Sequence, residues 1–360
     1  MKLHTFLKLS PAIYKSGKCA YLRSAPGRGK TTTIVDARQY ISRETNKNLG
    51  LVIINGPLLT PADTVGYLVP VKKDDGTVES QYTSPFWWRT SDGKRLEDYD
   101  GGIVFVDEAD KCDIDVKKVL GEMSLSGRCG PHVLPPGWVV WMAGNRQGDR
   151  SGSTKELDHL INRRFEIDVT DDFQGWEIWA LKNNVHPALI KFAADNPQIV
   201  FSNETPKEQG PWCTPRSLVT TGELLATLGS NGELPTDDDA VELAAAGIGS
   251  AAAGQLFATI RLDAELPEFE EVVKNPTGAK FSTAPDVQML ACYKYAQKVD
   301  ASTIAPVIQY IERMPADFAS TFVKAAVTKT KMLAAHPAMM AWQQRNNSIM
   351  TTLAMLKQYA

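Results

Sequence analysis

The sequence has no CxxC pair. Its five cysteines, Cys19, Cys112, Cys129, Cys213 and Cys292, are odd in number and widely spread. That excludes a disulfide scaffold or a zinc ribbon and fits free thiols in a reducing compartment. Histidine is also scarce. His4, His132, His159, His186 and His336 show neither HxxxH nor HExxH spacing, so no metal site of that kind is expected. Neither sign of charge dominates: 39 basic residues against 42 acidic ones give a net charge of −3. Bulk electrostatics therefore does not advertise a nucleic-acid coat.

Long apolar runs are nearly missing. The opening MKLHTFLKLSPAIYKSGK is too interrupted for a secretory signal. Leu243 to Ile260 carries no charge, but it is mostly Ala and Gly, with Ser250 and Gln255 inside it. The expectation is a tightly packed helix or helix pair rather than a membrane span, and a cytoplasmic protein. No internal repeat or long low-complexity linker occurs.

What is present is an ordinary globular balance, with 43% hydrophobic and 22% charged residues, which argues against disorder. At about 150 residues per domain the length suggests roughly two domains. The first half alternates short apolar runs with helical patterns, as a parallel α/β sheet does. Strands are expected at Ala20–Ser24, Leu51–Ile54, Ile103–Val106, Trp138–Ala143 and Glu166–Val169. Helices are expected at Thr31–Arg43 and after Asp113, the latter capped by Asp113 and stopped by Gly127. Beyond Asp172, Ala-, Leu- and Met-rich helical segments broken by proline take over, so the boundary falls near residue 170. The domains expected are 1–170 and an all-helical 171–360.

The most informative stretch is Ser24-Ala25-Pro26-Gly27-Arg28-Gly29-Lys30-Thr31, between a strand and a helix. A polyphosphate needs dense, close donors. Gly27 and Gly29 let the backbone curl and aim its N–H groups inward, and the helix start adds its positive dipole end. Lys30 is placed for the β- and γ-phosphates, and Thr31 offers a hydroxyl to Mg²⁺. Pro26, Gly27, Arg28, Gly29, Lys30, Thr31 and Thr32 are thus the candidate nucleotide-binding residues. Ser24 replaces the usual first glycine of GxxxxGK[ST], a mild departure.

Ile103-Val104-Phe105-Val106 ends in Asp107 and Glu108. Ligands collect at the carboxyl ends of parallel strands, where Asp107 would hold Mg²⁺ and Glu108 would orient or deprotonate an attacking water. Three further positions fit a hydrolase. Asn145 follows the strand WVVWMA. Arg163 and Arg164 precede Phe165 and can neutralise charge on a neighbour's nucleotide. Arg216, in Thr214-Pro215-Arg216-Ser217, opens a helix in the second region.

The ordered set SAPGRGKT, IVFVDEAD, GNR, NRRF and TPRSL resembles an AAA+ ATPase. The phrase Gly144-Asn145-Arg146-Gln147-Gly148-Asp149-Arg150-Ser151-Gly152 is similar to the MoxR and dynein-related, helix-2-insert branch in bacteria and phages. The resemblance implies an α/β P-loop NTPase core whose five parallel strands run in the order 5-1-4-3-2, followed by a helical lid and extension. It assigns Lys30 and Thr31 to Walker A, Asp107 and Glu108 to Walker B, Asn145 to sensor 1 and Arg216 to sensor 2. Arg164 takes the arginine-finger position by adjacency to Phe165, with Arg163 as the alternate. ATP and Mg²⁺ are the implied cofactors. A ring, usually a hexamer, would remodel a protein partner with a von Willebrand factor A-type adaptor.

Between the second strand and Walker B, the stretch around 61–90 is long for a crossover. Tyr67–Val71 and Thr77–Ser80 flank Asp75-Gly76, a hairpin signal. Such a hairpin either grips substrate in the ring's pore or packs on a neighbour, and Trp87 and Trp88 are expected to pack. Arg128 to His132 reads as a second pore-facing loop. The Met-rich C-terminus is expected to be helical core or a partner groove. Two other functions compete: a nucleotide-gated assembly module with little hydrolysis, and a DNA-directed motor of a phage or restriction system.

Overall fold

The computed structural model describes residues 1–146, 161–162, 164–170, 172–202, 204, 206, 208–230 and 232–346. The chain divides into two compact units, Met1–Asp171 with Asn203–Thr205, and Asp172–Ser202 with Pro206–Ala360.

In the first unit α1 (Leu3–Lys15) precedes β1 (Ala20–Arg23), α2 (Lys30–Thr45) and β2 (Gly50–Asn55). Then come α3 (Pro61–Val65), β3 (Leu68–Lys72), β4 (Val78–Tyr82), β5 (Gly102–Asp107) and α4 (Ile114–Ser126). The short pair β6 (Arg128–Cys129) and β7 (His132–Val133) leads to β8 (Trp138–Gly144) and β9 (Phe165–Asp168). Five strands form one parallel sheet in the order β2-β5-β8-β1-β9. Counting only these strands in chain order, that is 2-3-4-1-5, the expected topology. The first strand is central, so the loop that follows it opens between two neighbours.

The sheet is buried on both faces, and the period of two sorts its side chains. Ile103, Phe105, Val139 and Trp141 pack with Phe6 of α1 and Ile34, Ala37 and Ile41 of α2. Val104, Val106, Val140 and Met142 pack with Val116, Leu120 and Met123 of α4 and with Trp87 and Trp88. Continuous apolar runs are what such a strand requires. Helix α1 was not legible in the sequence, where only its polar interruptions stood out. It docks through Phe6, whose ring meets Trp141 edge-on at 5.6 Å. Asp113 stands at the N-cap of α4 without a side-chain cap bond, whereas Gly127 ends the helix at φ 68° as expected.

The insert is a hairpin whose strands each start one residue later than the sequence suggested, Leu68 facing Tyr82 and Lys72 facing Val78, and it turns at Gly76 with φ 83°. Trp87 and Trp88 are buried. The turn between β6 and β7 packs against the hairpin's base: Cys129 Sγ donates to Thr64 O at 2.9 Å, and His132 Nε2 lies 3.1 Å from Thr83 O. The two inserts are therefore one joined structure.

The second unit is helical among its described residues. Pro187, Pro215, Pro285 and Pro337 stand in the first turns of helices, so these prolines start segments as well as separating them. The uncharged run is two helices, Asp238–Ile248 and Ser250–Arg261, broken at Gly249 with φ 83°. Among the described residues, no helix is long and apolar enough to cross a membrane. Met339 is core and Met340 exposed. Glu177 is buried where Tyr293 Oη donates to it at 2.8 Å and Lys324 pairs with it.

His186 caps the helix Pro187–Asp195, its Nδ1 accepting from Ala188 N at 3.2 Å. Burial, opposed by Asp263 and reinforced by Lys294, pulls its pKa from 6.5 down to about 4. The unfolded chain therefore takes up a proton at higher pH than the folded one. This stabilisation is whole above pH 6.5 and is lost as pH falls toward about 4. Melting curves across that window should show the midpoint dropping with acid. His186→Asn, which keeps a capping acceptor and does not titrate, should flatten the slope.

Candidate active site

The site begins where β1 runs out. From Ser24 to Gly29 the chain reverses through two left-handed glycines, Gly27 at φ 74° and Gly29 at φ 72°, a conformation that costs glycine little. Gly29 is also the N-cap of α2, which has no side-chain cap and no acid in its first turn. Thr33 N and Thr33 Oγ1 both donate to Gly29 O at 2.9 Å. The helix start thus offers its dipole end to an anion without a carboxylate competing for it.

Lys30 is 8% exposed. Its ammonium donates to Ser24 O and Ser24 Oγ at 3.1 Å, to Ala25 O at 3.4 Å and to Asn145 Oδ1 at 3.0 Å. These bonds join the loop after β1, the start of α2 and the tip of β8. The serine that replaces the usual glycine thus supplies a hydroxyl acceptor to the lysine, a contact that motif spacing did not suggest.

Thr31 Oγ1 donates to Asp107 Oδ2 at 2.5 Å, so the helix start and the end of β5 meet as well. Asp107 Oδ1 accepts from Glu108 N at 2.9 Å. Glu108 is one of three described non-glycine residues with positive φ, at 52°. That conformation costs on the order of 1–3 kcal/mol and persists where its surroundings over-determine it. Lys111 Nζ holds the Glu108 carboxylate at 2.9 Å. Behind the acids, a β-carbon on Gly56 would come 2.9 Å from Asp107 O and 2.7 Å from Cys112 Sγ. Only glycine lets β2's exit pass that close.

Hard oxygen donors at Thr31 and Asp107 fit Mg²⁺, which takes one or two protein oxygens and fills its shell with water and phosphate. Among the described residues, no group of three or more His, Cys, Asp or Glu side chains is placed to hold a metal ion. A tighter, all-protein cage is therefore not seen among them.

The remaining candidates are distributed differently. Thr32 is exposed on α2, Arg28 is buried in the loop and Pro26 is half-buried. Arg216 is exposed in the first turn of the helix Pro215–Leu228, on the second unit. Arg163 and the stretch Gln147 to Gly152 lie outside the described residues. Arg164 does not project. Its side chain is 7% exposed, its guanidinium lies 3.7 Å over the Tyr21 ring, and Nη2 and Nε donate to Glu166 Oε1 at 2.8 and 3.2 Å. Glu166 also pairs with Arg23. Burial alone would raise the Glu166 pKa, but its hydrogen bonds from Arg164 and Arg23 outweigh that and hold it below the usual range. Tyr21, Arg23 and Glu166 had no signal in the sequence, because the pairing of β1 with β9 joins them.

No protein-family profile matches the chain, and no curated protein matches it significantly. Among solved structures, it is similar to the RuvB Holliday junction branch migration motor of Thermotoga maritima. That match has 14% identity, covers 74% of this chain and 88% of that one, and has a TM-score of 0.32. It is also similar to NtrX of Brucella abortus in complex with ADP, at 13% identity over 96% of this chain and 67% of that one, with a TM-score of 0.38. Likeness this slight leaves the site to be judged by its own geometry.

Calorimetric titration checks the two pairings separately. Lys30→Ala should abolish ATP binding. The unaltered protein should bind ATP more tightly with Mg²⁺ than with EDTA, and Thr31→Ala should bind it equally weakly in both.

Proposed function

We propose that this chain is an Mg-ATP hydrolase of the AAA+ type, working as a ring that remodels a protein partner. One observation carries the reading: Lys30 with Asn145, and Thr31 with Asp107, bring three distant segments around one uncapped helix start. The strand order supports it, since the P-loop follows β1, which lies between β8, the strand that Asn145 follows, and the sheet's β9 edge.

In this reading the Gly27 and Gly29 backbone and Lys30 bind the phosphates, and Thr31 and Asp107 hold Mg²⁺. When bound, the ion neutralises the β- and γ-oxygens and orients them. Glu108 accepts the proton of the attacking water, and its fixed backbone and Lys111 keep the carboxylate at the strand end. Asn145, already bonded to Lys30, is the polar group that responds to the γ-phosphate. Arg216 is the expected second sensor. Of the two arginines before Phe165, the sequence favours Arg164 as the finger with Arg163 as the alternate, and the burial of the Arg164 side chain supports the alternate. Assembly into a hexamer, the MoxR-like branch and a von Willebrand factor A-type adaptor follow from the sequence resemblance alone.

The hairpin supports the remodelling part. One of its faces shows Leu68, Val78 and Tyr82 to solvent, with Tyr67 and Phe86 exposed nearby. A lone two-stranded hairpin is marginal by itself, so a projecting apolar one suits contact with an extended polypeptide. The near-equal numbers of basic and acidic residues, 39 against 42, lend DNA no support as the client.

Glu108→Gln is the decisive variant. Steady-state phosphate release should fall about 10²- to 10⁴-fold while ATP binding persists, and negative-stain images should show rings trapped with nucleotide. Turnover that survives the change would remove the hydrolase reading. Replacing both Leu68 and Tyr82 by Ser should spare basal turnover and abolish its stimulation by an unfolded model protein.

A further inference from the structure

A residue that reaches across a ring to a neighbour's nucleotide must present a free guanidinium at the surface. Arg164 does not: its side chain is 7% exposed, its Nε and Nη2 donate to Glu166 and its face lies over Tyr21. The commitments are informative in themselves, because each leads back to the same ammonium.

Two routes run from Arg164 to Lys30. Along the first, Arg164 donates to Glu166, Glu166 pairs with Arg23, and Arg23 precedes Ser24, whose carbonyl and hydroxyl take Lys30. Along the second, Arg164 lies on the face of Tyr21. The Tyr21 hydroxyl fills the place of a side chain on Gly144, where a β-carbon would be only 2.2 Å away. Gly144 precedes Asn145, whose amide oxygen takes Lys30. Both ends of the loop's lysine cradle, one on β1 and one on β8, are thus braced from β9 by one guanidinium. The planar fork of arginine suits this double duty, since it stacks and donates in its own plane at once.

We propose that Arg164 acts within its own subunit as a positioning residue for the phosphate loop, setting how tightly that subunit binds ATP. The proposal rests on the ATP-hydrolase reading for what is bound, but not for where the arginine sits. A charge supplied in trans comes from another arginine.

The test separates these claims. In dilute, unassembled protein, the arginine reagent phenylglyoxal should modify Arg164 slowly, as mapped by mass spectrometry, and assembly should not change that rate. Fast modification that assembly suppresses would overturn the proposal, whatever the ATPase result. In steady-state kinetics Arg164→Gln should raise KM about 2- to 30-fold, the range for residues coupled through packed contacts, with kcat nearly held. Glu166→Gln, which releases both arginines, should reproduce the rise, and Arg164→Lys should fall between. A finger in trans would instead lower kcat about 10³- to 10⁵-fold. Its loss would be rescued when Arg164→Gln subunits are mixed with Glu108→Gln subunits, and that rescue refutes a role within the subunit. Should the unaltered protein hydrolyse no ATP while Arg164 stays shielded in dilute solution, the hydrolase reading fails and the placement of Arg164 stands.

Discussion

The Lys30 ammonium is the point on which the first unit converges. It is buried, and a buried charge is tolerable only when hydrogen-bonded. Here two atoms of Ser24, the carbonyl of Ala25 and the amide of Asn145 meet that need. The requirement constrains everything around it. The loop must curl far enough to turn carbonyls toward its own lysine, hence the left-handed glycines. Strand β8 must end beside β1, hence the order of the sheet. Asn145 must be the first polar group after a fully buried strand. In the proposed reading, a polyphosphate entering this cradle would exchange neutral acceptors of Lys30 for charged ones.

The acids are arranged by the same economy of space. Asp107 is the last residue of β5 and turns toward Thr31, while Glu108 leaves the strand through a left-handed conformation that points it elsewhere. Two adjacent carboxylates thus take different partners, one the helix start and the other Lys111. In the proposed reading, this separation lets one acid serve a cation and its neighbour a proton. The backbone that achieves it is tolerated because Gly56 leaves room behind it and the Asp107 carboxylate bonds the Glu108 amide.

Away from the phosphate loop, the structure spends its arginines and aromatics on bracing. Arg164, Arg23 and Glu166 tie the β9 edge to the central strand, and Trp87, Trp88 and His132 tie the two inserts together, with Trp88 and His132 rings 5.5 Å apart. A hairpin that would be unstable alone is thereby carried on a rigid base, and its apolar residues stay at the surface.

The sequence by itself determined the elements whose signals are local. Strands buried on both faces read as IVFV and WVVWMA, the loop reads as glycines before Lys30, and the helical half reads as the loss of strand-like runs. The strand order follows only from the resemblance these motifs carry, and the sheet bears it out. What the tertiary structure alone decided is which side chains became partners. Ser24 read as a mild defect and became a ligand of Lys30. Arg164 read as a group for a neighbour, and its guanidinium lies over Tyr21 and pairs with Glu166. Helix α1, whose polar interruptions hid it, proved to be a layer of the core. In each case the deciding contact joins residues far apart in the chain, and burial, which sets the worth of a charge or a ring, exists only after the strands have paired.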